Sequence, residues 1–149
     1  MIIKEFLTKS ENNSLIIGIV GLGYVGLPLA EAYVKKNISV IGYDISKKRV
    51  DQLNQGKSGM QHIEDERVKI IIDKGLFKAT HNPADLQKAD AILVAVPTPL
   101  DIYHKPDLSY VKNTCHTLKQ QLKQGQLVVL ESTTYPGTTE DIMKPILEE

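Results

Sequence analysis

Three glycines and one acid form the clearest chemical pattern in this 149-residue sequence. Gly21, Gly23 and Gly26 make up a G-x-G-x-x-G motif, GLGYVG, and Asp44 follows at the end of the next apolar run. The first glycine permits a tight turn, the second lets a pyrophosphate approach the backbone, and the third lets a helix pack close to a strand. N–H groups at the start of that helix would hold the phosphates. The pattern predicts a dinucleotide-binding turn.

Asp44 favours NAD over NADP as the dinucleotide. Its carboxylate can accept hydrogen bonds from both hydroxyls of an adenosine ribose, and it would repel a 2′-phosphate. Lys47, Lys48 and Arg49 follow it and soften that preference. Two alternatives remain at this point. The glycines could make an ordinary strand-to-helix turn beside a surface acid, or the turn could hold S-adenosylmethionine, although the glycines of such sites usually crowd into the loop.

Two further segments, Pro97-Thr98-Pro99 and Ser132-Thr133-Thr134, follow the ends of other apolar runs. Ligands bind at the carboxyl edge of an open parallel sheet, so these hydroxyls could reach a phosphate, the second ribose or the nicotinamide of the cofactor. The alternative is structural. Prolines can end a strand, and a Ser/Thr cluster can cap the following helix.

The elements that must position these residues alternate between strand and helix. Short apolar, β-branched runs of the kind buried on both faces predict strands, and apolar residues at helical spacing predict helices. The alternation indicates right-handed crossovers and a parallel sheet, so we expect an α/β fold of the Rossmann type, doubly wound and three layers thick. One domain fills residues 1–149, with 1–14 as an N-terminal extension. Strands are predicted over 15–20, 39–44, 76–80, 89–96 and, also buried, 127–130; helices begin near 27, 46, 65, 107 and 138.

Composition excludes several other classes of function. Lys+Arg 18 against Asp+Glu 18 leaves no basic field for a nucleic acid. The single cysteine rules out an internal disulfide, and four scattered histidines give no metal-ligand spacing, so no metal is expected. The uncharged run 15–30 is too short and too rich in glycine to span a membrane or act as a signal peptide. A cytoplasmic protein is therefore expected.

Four motifs occur together in a fixed order: GLGYVGLPLA, Asp44 with Arg49, VPTPL at 96–100 and ESTTYPGTTE at 131–140. The combination resembles the NAD-binding domain of the UDP-glucose/GDP-mannose dehydrogenase family. The resemblance implies that Asp44 and Arg49 hold the adenosine ribose, and that Thr133 also positions a water during hydrolysis. It assigns the pyrophosphate to Gly21, Leu22, Gly23, Tyr24, Val25 and Gly26, and the nicotinamide side to Val96, Pro97, Thr98, Ser132 and Thr133.

The resemblance also implies a reaction. Enzymes of this family oxidise the C6 alcohol of a UDP-sugar to a carboxylate in two NAD-dependent hydride transfers, with a cysteine nucleophile in a later domain, and they form homodimers or larger assemblies. VPTPL followed by PDLSY looks more like the N-acetylhexosamine branch. Cys115 falls on an apolar helix face and cannot replace the nucleophile.

The 149 residues are therefore expected to bind NAD without turnover. We interpret them as the N-terminal domain of a longer dehydrogenase. A stand-alone NAD-binding regulatory module is the alternative. A β-hydroxyacid-type dehydrogenase domain would share the glycine turn, but it usually carries methionine at the position of Val25.

Overall fold

The computed structural model describes residues 2–149, in which a first helix precedes an alternating series of strands and helices. The strands are β1 (Ile16–Val20), β2 (Ser39–Tyr43), β3 (Phe77–Thr80), β4 (Ala91–Val94) and β5 (Leu127–Leu130). The α-helices are α1 (Ile2–Glu11), α2 (Gly26–Lys35), α3 (Lys47–Asn54), α4 (Asp65–Asp73), α5 (Ser109–Lys119) and α6 (Lys144–Glu148). A 3₁₀ helix spans Pro83–Lys88, and a π-helical segment spans Thr138–Met143.

The five strands form one parallel sheet in the order β3-β2-β1-β4-β5. Apolar residues of α2, α3 and α4 pack on one face, and those of α5 and the C-terminal helical segments pack on the other. The predicted doubly wound, three-layered α/β fold is confirmed. The strand order reverses at β1: β2 and β3 are added on one side of it, and β4 and β5 on the other. Such a switch point opens a crevice beyond the carboxyl ends of the strands.

The register brings the strand ends at this switch point together. Val20 of β1 lies opposite Tyr43 of β2 on one side and Val94 of β4 on the other. The glycine turn after Val20 and the acid after Tyr43 therefore emerge at the same edge of the sheet. In the connection from β2 to β3, Ser46 caps α3. Its hydroxyl oxygen accepts a hydrogen bond from the Arg49 N–H, with 3.2 Å between the heavy atoms.

The prediction that 127–130 is a buried strand is wrong. Leu127 is exposed, and the other three residues of β5 are only half-buried. The reason is the strand order: β5 is the last strand of the sheet and has a neighbour, β4, on one side only. An apolar run shows that a strand forms, but the position of that strand in the sheet decides how far it is covered.

The N-terminal extension folds as α1 and is fastened to the sheet. Lys9 Nζ donates to Asp90 Oδ1 at 2.8 Å, and Asp90 Oδ2 accepts the N–H of Ile16, the first residue of β1, at 2.9 Å. Phe6 packs against the larger apolar cluster, which is formed by α2, α3, α4 and the face of the sheet that they cover. Asp90 thus joins the extension to the amino end of the central strands, opposite the edge that carries the glycine turn.

None of the helices within residues 2–149 has the length and apolar character needed to cross a membrane.

Candidate cofactor-binding cleft

A cleft of about 620 Å³ opens at the carboxyl edge of the sheet. Three segments that the sequence singles out meet in it: the glycine turn after β1, the acid after β2 and the start of the proline segment after β4. One face of α5 closes the remaining side. The lining residues are Val20, Gly21, Gly23, Tyr24, Val25, Tyr43, Asp44, Ile45, Ala95, Val96, Pro97, Tyr110, Asn113, Thr114, Thr117 and Leu118.

The three glycines meet different requirements. Gly21 has φ +92°, and a Cβ there would lie 2.5 Å from the backbone oxygen of Ala95. A Cβ at Gly26 would lie 1.8 Å from the oxygen of Gly21, so the helix start is packed directly on the turn. A Cβ at Gly23 would meet no protein atom within 4 Å. Gly21 and Gly26 are therefore needed by the fold, whereas Gly23 keeps space open on the cleft.

The turn presents backbone donors. Among the described residues, none accepts a hydrogen bond from the N–H groups of Gly23, Tyr24 or Val25, because the first helical bond of α2 runs from Leu27 N to Gly23 O at 3.1 Å. Unpaired N–H groups at a helix start carry partial positive charge and suit the oxygens of a phosphate. This is the arrangement expected of a turn that binds a pyrophosphate.

Asp44 sits beside the turn and already accepts two backbone hydrogen bonds. Its Oδ2 accepts from Leu22 N and its Oδ1 from Ser46 N, both at 2.9 Å. An ionised carboxylate offers about four acceptor positions, so two remain for other donors. Asp44 is half-buried and lines the cleft, where those positions can accept the hydroxyls of a ribose.

Arg49 does not line the cleft, and its guanidinium holds backbone carbonyls instead. Nε and Nη2 donate to Leu22 O at 3.0 and 2.8 Å, and Nη1 donates to Ser58 O. Burial lowers the pKa of Arg49, and the nearby carboxylate of Asp44 partly offsets that effect. Leu22, also expected at the pyrophosphate, has a fully buried side chain, so only its backbone can take part.

The structure brings the segments Pro97-Thr98-Pro99 and Ser132-Thr133-Thr134 together. Thr98 Oγ1 donates to Thr133 O at 2.6 Å, and Ser132 Oγ donates to Val96 O at 2.7 Å. These bonds join the loop after β4 to the loop after β5 at the sheet edge. Val96 and Pro97 line the cleft, whereas Thr98, Ser132 and Thr133 lie outside its lining. The alternative role as a helix cap is not seen, because the following helix is preceded by Gly137 without a side-chain cap.

Sequence reasoning missed one wall of the cleft. Tyr110, Asn113, Thr114 and Thr117 all project from α5 towards it. Their i, i+3, i+4, i+7 spacing marks one face of a helix, next to the buried face that carries Cys115. That spacing is the signal from which this face of α5 could have been predicted, although the apolar stripe of the same helix is the more conspicuous pattern. Tyr43 and Ile45, which flank the acid, were also missed.

Within residues 2–149, no three His, Cys, Asp or Glu side chains cluster closely enough to hold a metal ion.

We expect Cys115 to be chemically inert in the folded protein. The thiol is buried on α5, and burial raises its pKa to about 11 from an ordinary value of 9.0. Because the thiolate is the reactive form, alkylation by iodoacetamide should be at least about a hundredfold slower in the native protein than in urea. Mass spectrometry of timed samples measures this. Equal rates would show that Cys115 is accessible and ionised.

Comparison with known proteins places the chain in a family. Residues 15–149 match the UDP-glucose/GDP-mannose dehydrogenase family, NAD binding domain. The UDP-N-acetyl-D-glucosamine 6-dehydrogenase of Pseudomonas aeruginosa is 39% identical over 135 residues, which is 91% of this chain and 31% of that protein. The UDP-N-acetyl-D-mannosamine dehydrogenase of Campylobacter jejuni is 41% identical, over 88% of this chain and 32% of that protein.

Solved structures agree. An NDP-N-acetyl-D-galactosaminuronic acid dehydrogenase from Methanosarcina mazei superposes with a TM-score of 0.84 at 34% identity, covering 97% of this chain and 33% of that one. A GDP-mannose dehydrogenase from Pseudomonas aeruginosa gives a TM-score of 0.83 at 28% identity, covering 89% and 31%. The chain thus spans about a third of the length of the relatives it matches. It belongs to the UDP-glucose/GDP-mannose dehydrogenase family, and residues 15–149 are the NAD-binding domain.

Proposed function

We propose that this chain binds NAD in the cleft and serves as the cofactor domain of a nucleotide-sugar 6-dehydrogenase. The observation that carries the proposal is the glycine turn, in which unpaired N–H groups of Gly23, Tyr24 and Val25 adjoin the carboxylate of Asp44 at one cleft. Backbone donors suit a pyrophosphate, and a neighbouring carboxylate suits a ribose diol. A Cβ at Gly23 would occupy open space that a dinucleotide can use.

In this proposal, different residues contact different parts of the cofactor. The turn from Gly21 to Gly26 takes the pyrophosphate, and Asp44 takes the adenosine ribose. Val96 and Pro97 line the cleft on the β4 side, towards the nicotinamide, and the Thr98–Thr133 bond fixes the loop behind them. Bound NAD supplies the hydride acceptor for the oxidation. Thr133 is assigned to positioning the water of a hydrolytic step, with Ser132 bracing the same loop through Val96 O.

The substrate we propose is a UDP-linked N-acetylhexosamine, oxidised at its C6 alcohol to a carboxylate. Two relatives named for UDP-N-acetyl-D-glucosamine and UDP-N-acetyl-D-mannosamine support it. The one cysteine of these 149 residues, Cys115, is buried with a raised pKa, so we expect the chain by itself to bind NAD without oxidising a sugar. Self-association as a homodimer or larger assembly is part of the same proposal.

Calorimetric titration of the purified chain tests the proposal. We expect one NAD per chain and clearly weaker binding of NADP, because Asp44 would face its 2′-phosphate. Incubation with NAD and UDP-N-acetylglucosamine or UDP-N-acetylmannosamine should release no NADH. Absence of NAD binding contradicts the assignment of the cleft, and steady NADH release contradicts the expectation that the chain by itself does not oxidise a sugar.

Asp44→Ala is expected to weaken NAD binding and to narrow the difference between NAD and NADP. Loss of hydrogen bonds to a charged acceptor costs about 1.5–3 kcal/mol, or roughly ten- to a hundredfold in affinity. Asp51→Ala is the matched control, because it removes an exposed carboxylate on α3 that pairs with Lys47. An unchanged NAD/NADP ratio in Asp44→Ala would remove Asp44 from the ribose.

A further inference from the structure

Consecutive residues at the end of β2 hold the glycine turn in place. Tyr43 O accepts the N–H of Gly21 at 2.9 Å. Asp44 Oδ2 accepts the N–H of Leu22, also at 2.9 Å. Gly42, the residue before Tyr43, contributes space instead of a hydrogen bond. A Cβ at Gly42 would lie 2.6 Å from Leu22 Cδ2 and 3.0 Å from Leu22 Cδ1, so the leucine fills the place that a larger residue would need.

The side chain of Leu22 is enclosed by the core on its other sides. It is fully buried in the larger apolar cluster. Phe77 of β3 belongs to the same cluster, and its Cε2 would lie 3.0 Å from a Cβ at Gly42. Core side chains are close-packed, so the methyl groups of Leu22 have no open space to turn into. A carbon added at Gly42 must therefore displace Leu22.

The turn resists such a displacement on one side only. Before Leu22, Gly21 is packed against the sheet, because a Cβ there would lie 2.5 Å from Ala95 O. After Leu22, Gly23 faces the cleft, and even a Cβ there would meet no protein atom within 4 Å. A displaced Leu22 would therefore move the backbone on the Gly23 side, where the unpaired N–H donors lie.

We propose that Gly42 is a positioning residue for the cofactor. By leaving room for Leu22, it keeps the N–H donors that bind the pyrophosphate next to the carboxylate of Asp44. The inference rests on the proposed binding of NAD in this cleft. Gly42 does not itself line the cleft, so its effect on the cofactor passes through Leu22.

Gly42→Ala tests the inference. The atoms that it meets are ends of side chains, so we expect it to fold with a lower free energy of unfolding. Its affinities for NAD and ADP should fall about tenfold, because the donors lose their alignment with the pyrophosphate. Calorimetry measures both affinities, and urea denaturation measures stability.

Gly18→Ala is the matched control. It adds the same methyl group to the neighbouring strand β1, where a Cβ would lie between 3.0 and 3.3 Å from side-chain atoms of Leu86, Ala89 and Ile92. Those residues belong to the apolar cluster on the opposite face of the sheet. Gly18→Ala should therefore lower the free energy of unfolding as well, but leave the affinities for NAD and ADP unchanged.

A second substitution should restore binding. Leu22→Val removes one carbon where Gly42→Ala adds one, and the double variant should bind NAD within about threefold of the wild type. Leu22→Val alone loosens the contact with Gly42 and should bind NAD at least about threefold more weakly. Leu53→Val is its control, because it shortens another fully buried leucine of the same cluster, and it should bind NAD as the wild type does.

Each outcome decides the inference. Unchanged NAD affinity in a folded Gly42→Ala protein, an equal loss in Gly18→Ala, or no recovery in the double variant overturns the inference alone. Failure of the wild type to bind NAD overturns it together with the proposed function. Where a glycine variant does not fold, the two leucine variants decide, and equal NAD affinities of Leu22→Val and Leu53→Val overturn the inference.

Discussion

Gly23→Val is expected to abolish NAD binding while the domain remains folded. Gly23 is on the cleft, its φ is not positive, and a Cβ there would meet no protein atom within 4 Å. A β-carbon therefore meets no protein atom, and we expect the valine side chain to occupy the space in front of the backbone donors. Close approach of a pyrophosphate to those donors is what the missing Cβ allows. We expect a loss of at least about a hundredfold in NAD affinity, equivalent to the loss of two or more charge-assisted hydrogen bonds.

Calorimetry for NAD and a thermal melt followed by circular dichroism measure the two halves of this prediction. Ala32→Val is the matched control, because it places the same valine side chain at an exposed position of α2. It should leave NAD affinity unchanged. A folded Gly23→Val protein that binds NAD like the wild type would show that the pyrophosphate does not contact this turn.

Local signals predicted most of the fold. Ser46 caps α3 through the N–H of a residue three positions later, so the start of that helix could be read from adjacent residues. The stripe of Val111, Cys115 and Leu118 on α5 is buried as its spacing predicted. The glycine turn followed β1 and opened α2 as expected, because its conformation depends on a handful of consecutive residues.

The contacts that complete the site could not be predicted, because they join residues distant in the chain. Arg49 reaches Leu22 from 27 positions away, and Thr98 reaches Thr133 from 35. Residue type indicates that a guanidinium or hydroxyl can donate a hydrogen bond. Whether it donates to a ligand or to a backbone carbonyl depends on how segments that are distant in the chain pack together. The exposure of β5 has the same origin, since strand order is a property of the whole sheet.

Gly26→Ala is expected to destabilise the domain severely, although the same change usually stabilises a helix. Gly26 is the first residue of α2, and alanine in a helix interior is favoured over glycine by about 1 kcal/mol. Against that, the new Cβ would lie 1.8 Å from Gly21 O and 3.1 Å from Ile19 Cγ2. A backbone oxygen cannot rotate away, so the turn or the helix must move.

Either movement would lower the free energy of unfolding. Gly21 is already packed against the Ala95 carbonyl, and α2 packs on the sheet through Leu27 and Ala30, which are buried in the larger apolar cluster. Overpacking of this kind costs about 3 kcal/mol or more, which outweighs the gain in helix propensity. Urea denaturation should therefore give a lower free energy of unfolding for Gly26→Ala, while Gly23→Ala, whose Cβ meets no protein atom, stays close to the wild type. Because helix propensity alone predicts the opposite sign, a Gly26→Ala protein as stable as the wild type would mean that α2 does not begin against the oxygen of Gly21.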